Sequence, residues 1–189
     1  MEYKKDNEEY DRSFKVILIG NRAAGKTNII SRFQKNKFNP NSQITIDIDF
    51  DTSGEERYLS VSRTHYRDAV GAFIVYDITN EESFNKLKFW FEEFQKNAKE
   101  NAIPMIIGNK CDLEKERKIS KEMGQKFAEE NKALFMETSA KDGTNIQKAF
   151  EILTKEIFNT FENETDKPID SIILSKRIII DPKKPRPCC

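Results

Sequence analysis

The chain has 189 residues, enough for one well-buried core and too few for two ordinary domains. Lysine plus arginine equals aspartate plus glutamate at 32 each, so no global charge argues for nucleic acid or an acidic substrate. No apolar run approaches bilayer-spanning length, the charged start Met1-Glu2-Tyr3-Lys4-Lys5 has no leader character, and three cysteines, two of them terminal, make no disulfide framework, so a cytosolic chain is expected.

Residues 1–12 are charged and are expected to form a disordered extension. Phe14 to Ile19 is an apolar run that predicts a buried strand, and Asn28 to Phe33 predicts a helix. Between them Gly20-Asn21-Arg22-Ala23-Ala24-Gly25-Lys26-Thr27 fits GxxxxGK[ST]. Strand, glycine loop and helix is the context that marks a phosphate-binding loop. Glycine lets backbone N–H groups turn inward around phosphate oxygens, and the following helix points its positive end at them. Lys26 would then reach the β- and γ-phosphates while the Thr27 hydroxyl binds Mg²⁺. The loop alone leaves a metabolic kinase, an ATPase and a guanine-nucleotide switch open.

Farther along, Ile44, Ile46, Ile48 and Phe50 alternate with Thr45, Asp47, Asp49 and Asp51, a period of two that predicts a strand ending in Asp51-Thr52-Ser53-Gly54. Ala69 to Asp77 predicts a buried strand. Thr79-Asn80-Glu81-Glu82 reads as a capping box opening a helix with Phe84, Leu87, Phe91 and Phe94 on its apolar face, and Trp90 reads as packing. Ile103 to Gly108 is a further strand, with Asn109-Lys110-Cys111-Asp112 at its carboxyl end. Ser120 can cap a helix carrying Met123, Phe127 and Ala128. Ala133 to Glu137 is the last strand, Ser139-Ala140-Lys141 its loop, and Ile146, Ala149, Phe150, Leu153 and Ile157 line the last helix. Strands and helices alternate, which predicts an α/β fold: a mostly parallel sheet with helices on both faces and ligands outside the carboxyl ends of the strands. From about Asn163 the pattern stops, and a Pro- and Lys-rich tail runs to Cys189.

Asn109-Lys110-Cys111-Asp112 fits NKxD, and a carboxylate at Asp112 can accept hydrogen bonds from the N1–H and 2-amino edge of guanine, which adenine does not offer. Ser139, Ala140 and Lys141 would buttress the same base. Cys111 beside it reads as a small space-filler. With the strings GNRAAGKT, DTSGEERY, VYDITNEESF, GNKCD and ETSAK in place, the chain resembles a Rab-family small GTPase of the Ras superfamily over roughly residues 10–160 and again at its terminus. The resemblance implies a P-loop fold, GTP or GDP with Mg²⁺, and a switch in vesicle traffic. It places Gly20, Asn21, Arg22, Ala23, Ala24, Gly25, Lys26 and Thr27 on phosphates and Mg²⁺, Asp51 near the metal through water, and Gly54 at the γ-phosphate. Asn109, Lys110, Asp112, Ser139, Ala140 and Lys141 would hold the base. Cys188 and Cys189 resemble a double geranylgeranylation signal, and two chains suit stable anchoring where one does not. The implied partners are a prenylation escort, a GDP-dissociation inhibitor, an exchange factor and effectors, with no nucleic acid. A monomer is expected, in the cytosol and on the cytoplasmic face of intracellular membranes. Residues 13–162 would be the GTP-binding domain and 163–189 a flexible tail.

Three departures from the family pattern stand out. Glu55 occupies the position of the glutamine that orients the attacking water, and Arg22 replaces a small loop residue, so slow hydrolysis is expected; the rival is that Arg22 pairs with Glu55 or acts as an arginine finger. The switch threonine would be Thr45, yet only one short strand of about 20 Å separates it from Asp51, so both cannot reach one ion. Either Thr45 binds the metal or residues 44–50 are the strand before Asp51. The alternation favours the strand, giving a sheet of five strands instead of six with 44–50 at its edge. Two further readings stay open: a lipid-anchored pseudo-GTPase scaffold, and a shortened product with impaired nucleotide binding.

Overall fold

The computed structural model describes residues 14–35 and 66–162. Among these residues four strands form one parallel sheet in the order β1 (Val16–Gly20), β2 (Gly71–Asp77), β3 (Ile103–Asn109), β4 (Leu134–Thr138). Leu18 lies opposite Phe73, Phe73 opposite Met105, and Ile107 opposite Met136. The predicted strands thus recur within a residue or two. The strand expected at 44–50, and with it the fifth place in the sheet, lies outside the described residues.

Helices complete both faces: α1 (Lys26–Lys35), α2 (Glu81–Asn85), α3 (Leu87–Asn97), α4 (Lys121–Glu130) and α5 (Ile146–Glu162). Side chains alternate across each strand, so the sheet feeds two cores. Leu18, Phe73, Val75, Met105 and Ile107 pack with Ile29 of α1 and with Phe150, Leu153 and Ile157 of α5. Ile19, Ile74, Tyr76 and Ile106 face the other way, onto Leu87, Trp90, Phe91 and Phe94 of α3 and Ala128 of α4. Every residue of β2 is buried, which explains its unbroken apolar reading. Each such Ile or Phe removed from water contributes about 1.5–3 kcal/mol.

The helix after β2 differs from its sequence reading in two ways. The N-cap is Asn80, one residue later than a capping box at Thr79 requires; its side chain accepts from Ser83 N at 3.2 Å. Thr79 is drawn away because its amide and hydroxyl both donate to Asp77 Oδ1, at 2.9 and 2.7 Å. The helix also stops at Asn85 and restarts at Leu87. The same apolar face is kept across the break, with Leu87, Phe91 and Phe94 buried and Phe84 half-buried. Ser120 caps α4 as expected, its hydroxyl accepting from Met123 N at 3.3 Å, although Met123 itself is exposed.

Candidate functional site

All the predicted residues that the structure describes collect at the carboxyl ends of β1, β3 and β4, as expected for ligand sites in parallel sheets. β1 ends at Gly20, whose φ of 135° and closeness to the neighbouring strand admit no side chain; a Cβ there would lie 2.1 Å from the Val75 carbonyl oxygen. The loop turns through Ala23 at φ 61°, a left-handed conformation that a residue with a Cβ holds only at an energetic cost. At Gly25, φ is 95° and a Cβ would meet Asn109 Nδ2 at 2.2 Å. α1 then begins at Lys26.

Lys26 is 7 % exposed, and its ammonium folds back over the loop, donating to the Gly20 carbonyl at 2.9 Å and the Asn21 carbonyl at 2.8 Å. A buried ammonium needs such partners. Asn21 is held a second time, its Oδ1 accepting from the Trp90 indole N–H at 3.3 Å. Ala24 is buried, Thr27 half-buried, and Arg22 and Ala23 are exposed at the loop's tip.

Asn109 links this loop to the base-side loops. It is 1 % exposed, its Nδ2 donates to the Ala24 carbonyl at 2.7 Å, and its Oδ1 accepts from Thr138 Oγ1 at 3.2 Å and Ala140 N at 3.3 Å. One side chain therefore ties the end of β3 to two other segments. Lys110 follows at φ 68°, its ammonium 2.6 Å from Asp77 Oδ2 at the end of β2. Asp112 Oδ1 accepts from Ser139 Oγ at 2.6 Å, and its Oδ2 lies 3.7 Å from Lys141 Nζ. Arg32 of α1 reaches across to the Ala140 carbonyl at 2.9 Å and to the Lys141 carbonyl. Cys111 is half-buried, and burial, reinforced by the nearby carboxylates of Asp142, Glu137 and Asp112, pushes its thiol up to about 11. That suits a space-filler.

Thr45, Asp51, Gly54, Glu55, Cys188 and Cys189 lie outside the described residues. Within them the structure adds Asp77, Trp90, Arg32 and Thr138, to which sequence reasoning gave no role at the site. Asp77 carried a signal, since a carboxylate closing a wholly apolar strand sits where parallel sheets bind ligands. Trp90 carried none, because its ring is buried as a packing residue and only its N–H is used.

Asn109 thus joins the loop after β1 to the loop after β4. The Ras family sequence model matches residues 50–159, more than half of the chain, and a model described as Ras of Complex, Roc, domain of DAPkinase matches residues 15–52. The chain is 43% identical over 173 residues to the Ras-related protein RABA5b of Arabidopsis thaliana, covering 82% of this chain and 80% of that protein. It is 41% identical over 175 residues to the GTP-binding protein ypt3 of Schizosaccharomyces pombe, covering 84% and 82%, and 39% identical over 171 residues to Rab-25 of Canis lupus familiaris, covering 82% and 80%. Because 82% of 189 residues is about 155 while the RABA5b match runs over 173, about 18 positions of that relative have no counterpart here. By its motifs, its sheet and these relatives, the chain belongs to the Rab family of small GTPases and binds guanine nucleotide.

Proposed function

We propose that this protein is a membrane-anchored switch of vesicle traffic that cycles slowly between GTP and GDP. The observation that carries the reading is Asn109, which joins the phosphate loop at Ala24 to the base-side loop at Thr138 and Ala140. Asp112 has four lone-pair directions, of which Ser139 and Lys141 use two, leaving acceptors for the N1–H and 2-amino groups of guanine. Lys26 would exchange its loop carbonyls for the β- and γ-phosphates. Thr27, in the first turn of α1, and Asp51 through water would hold Mg²⁺, which supplies charge neutralisation at the transferred phosphate. Gly54 would sense the γ-phosphate. Glu55 and Arg22 would slow hydrolysis, the first by replacing the residue that orients water and the second by crowding the γ-phosphate. Geranylgeranyl groups on Cys188 and Cys189 would hold the domain, residues 13–162, to the cytoplasmic face of intracellular membranes through the 163–189 tail, with escort, exchange and effector proteins as partners. No helix among the described residues is long and apolar enough to cross a membrane.

A second reading, a lipid-anchored nucleotide-binding scaffold that no longer switches, is favoured by one finding. About 16 to 18 positions of RABA5b, ypt3 and Rab-25 have no counterpart here, and the Ras match begins at residue 50, next to Asp51. The resemblance puts a missing hairpin between Thr45 and Asp51, at the edge of that match. Binding of fluorescent GDP and GTP, with and without Mg²⁺ and with ATP as competitor, tests the first half of the proposal: guanine-specific, Mg²⁺-dependent binding is expected, and ATP competing equally overturns it. Single-turnover hydrolysis tests the second half. Arg22→Ser and Glu55→Gln, singly and together, should accelerate it; no acceleration by any of the three removes the account of slow hydrolysis.

A further inference from the structure

Arg117 stands behind the base-side loops and not in them. Its guanidinium closes a two-pronged pair with Glu137, Nη1 to Oε1 at 2.6 Å and Nη2 to Oε2 at 3.0 Å. Nη1 also donates to the Ile119 carbonyl at 2.9 Å, and Nε reaches both carboxylate oxygens of Glu114, at 3.0 and 2.9 Å. The Arg117 and Glu137 side chains are only 17% and 12% exposed. Planar, two-pronged and shielded from water, such a pair fixes orientation as well as distance.

Its two ends lead to the two halves of the base pocket. On one side Arg117 follows Asp112 by a single short 3₁₀ turn, Glu114–Glu116. On the other, Glu137 lies opposite Gly108 in the sheet and is followed directly by Thr138 and Ser139. The Glu137 carbonyl is itself held by Asn145 Nδ2 at 2.8 Å. Ser139 Oγ then meets Asp112 Oδ1 at 2.6 Å, so the ion pair and this hydrogen bond close a ring through both loops. The turn has other moorings as well, since Lys118 N and Ile119 N both donate to the Ile78 carbonyl, at 2.9 and 3.0 Å. Loss of the ion pair should therefore slacken the loop without releasing it.

We infer that Arg117 is a positioning residue for base selectivity, acting with Glu137 to aim the Asp112 carboxylate at the edge of guanine. The inference rests on the reading that guanine is held at Asp112. Inosine diphosphate lacks the 2-amino group and can give that carboxylate one hydrogen bond fewer, so the GDP to IDP affinity ratio measures how well Asp112 is aimed. A general loss of stability weakens both nucleotides and leaves the ratio alone.

Displacement of fluorescent GDP by GDP and by IDP, with melting temperatures alongside, is to be measured for the wild type, Arg117→Met, Arg117→Lys and Glu137→Gln. Wild type should prefer GDP by about tenfold or more, and Arg117→Met should lose most of that preference, about what one hydrogen bond to a charged group supplies. Arg117→Lys should recover part of it, since an ammonium restores the charge without the fork. Glu137→Gln keeps size and one acceptor oxygen and reads the same ratio if Arg117→Met does not fold; it too should reduce the preference. A lowered melting temperature with the GDP to IDP ratio unchanged in both variants overturns the inference. A wild type that does not distinguish GDP from IDP overturns the guanine reading itself.

Discussion

Replacing Asn109 with alanine separates a side chain that braces the site from one that only touches ligand. Asn109 supplies three hydrogen bonds inside the protein, to Ala24, Thr138 and Ala140, whose residues are 1%, 1% and 4% exposed. A buried partner left unsatisfied costs about 1–3 kcal/mol. Two effects reduce the sum: the Thr138 hydroxyl can rotate, and the space vacated by the amide is polar enough to admit water. The expected net loss is about 3 kcal/mol, and for a domain of this size each kcal/mol moves Tm by about 2–4 °C. Tm of the nucleotide-free protein should therefore fall by about 6–12 °C, followed by circular dichroism in EDTA. The absence of nucleotide matters, because bound ligand adds its own stabilisation by mass action and would mix the two effects. A nucleotide-free variant that melts with the wild type, while binding GDP more weakly, would refute the bracing role and leave Asn109 as a ligand contact alone.

Tyr76 is fully buried and, among the described residues, its hydroxyl has no hydrogen-bond partner, with burial and then the Glu137 carboxylate holding its ionisation far above the usual range; Tyr76→Phe should raise Tm by a few degrees, gaining about 1 kcal/mol. Gly124→Ala should destabilise, because its Cβ would lie 2.3 Å from Tyr76 Oη and 2.7 Å from Phe135 Cε2, and the loss should shrink in the Tyr76→Phe background, where the first clash is gone. Trp90 is the chain's one tryptophan and bonds Asn21 of the phosphate loop, so intrinsic fluorescence should change on GDP binding; Trp90→Phe should abolish the signal and weaken GDP about 2- to 10-fold, one neutral hydrogen bond's worth, and an unchanged affinity would count against the contact. With Cys188 and Cys189 changed to serine, alkylation of Cys111 at pH 8 should be about a hundredfold slower than that of a free thiol, whose pKa is about 8.5. Its rate should climb as pH rises toward about 11, because the thiolate is the reacting form and folding disfavours it.

Period and spacing made most of this fold legible. β2 and β3 are apolar runs because both faces of each strand are covered, and α5 shows its buried stripe at helical spacing because only one face is. The phosphate loop and NKxD were legible for a different reason: each puts several chemical requirements into a few adjacent residues. Contacts between distant segments were not. The Trp90 to Asn21 and Arg32 to Ala140 bonds span 69 and 108 residues, and no local pattern encodes such a meeting. The helix start at Asn80 was missed because Thr79 satisfies the capping pattern but is already bound to Asp77, a competition between local partners that the string alone does not decide. The loop glycines were legible as motif letters, while the reasons for them, a Val75 carbonyl and an Asn109 amide lying where a Cβ would stand, needed coordinates.

In the proposed function, recognition and switching would come from different stretches of this chain, and that division bears on how the function could survive a shortened segment before Asp51. The hydrogen bonds that place Asn109 run to Ala24, Thr138 and Ala140, and those that place Asp112 come from Ser139, with Lys141 beside it. All of these partners lie in the loop after β1, at the end of β4 or in the loop that follows it, and β1 to β4 pair in register as one sheet between two cores. Such a frame would hold a base and two phosphates by contacts already formed within it. In the proposed function the γ-phosphate would depend in addition on Asp51, Gly54 and Glu55. If the frame is self-sufficient, GDP and GTP should bind with nearly equal affinity, because a γ-phosphate that orders no switch adds little. A strong preference for GTP over GDP would mean instead that residues 45–55 close on the nucleotide despite the shortening, and the switch reading would then prevail over the scaffold.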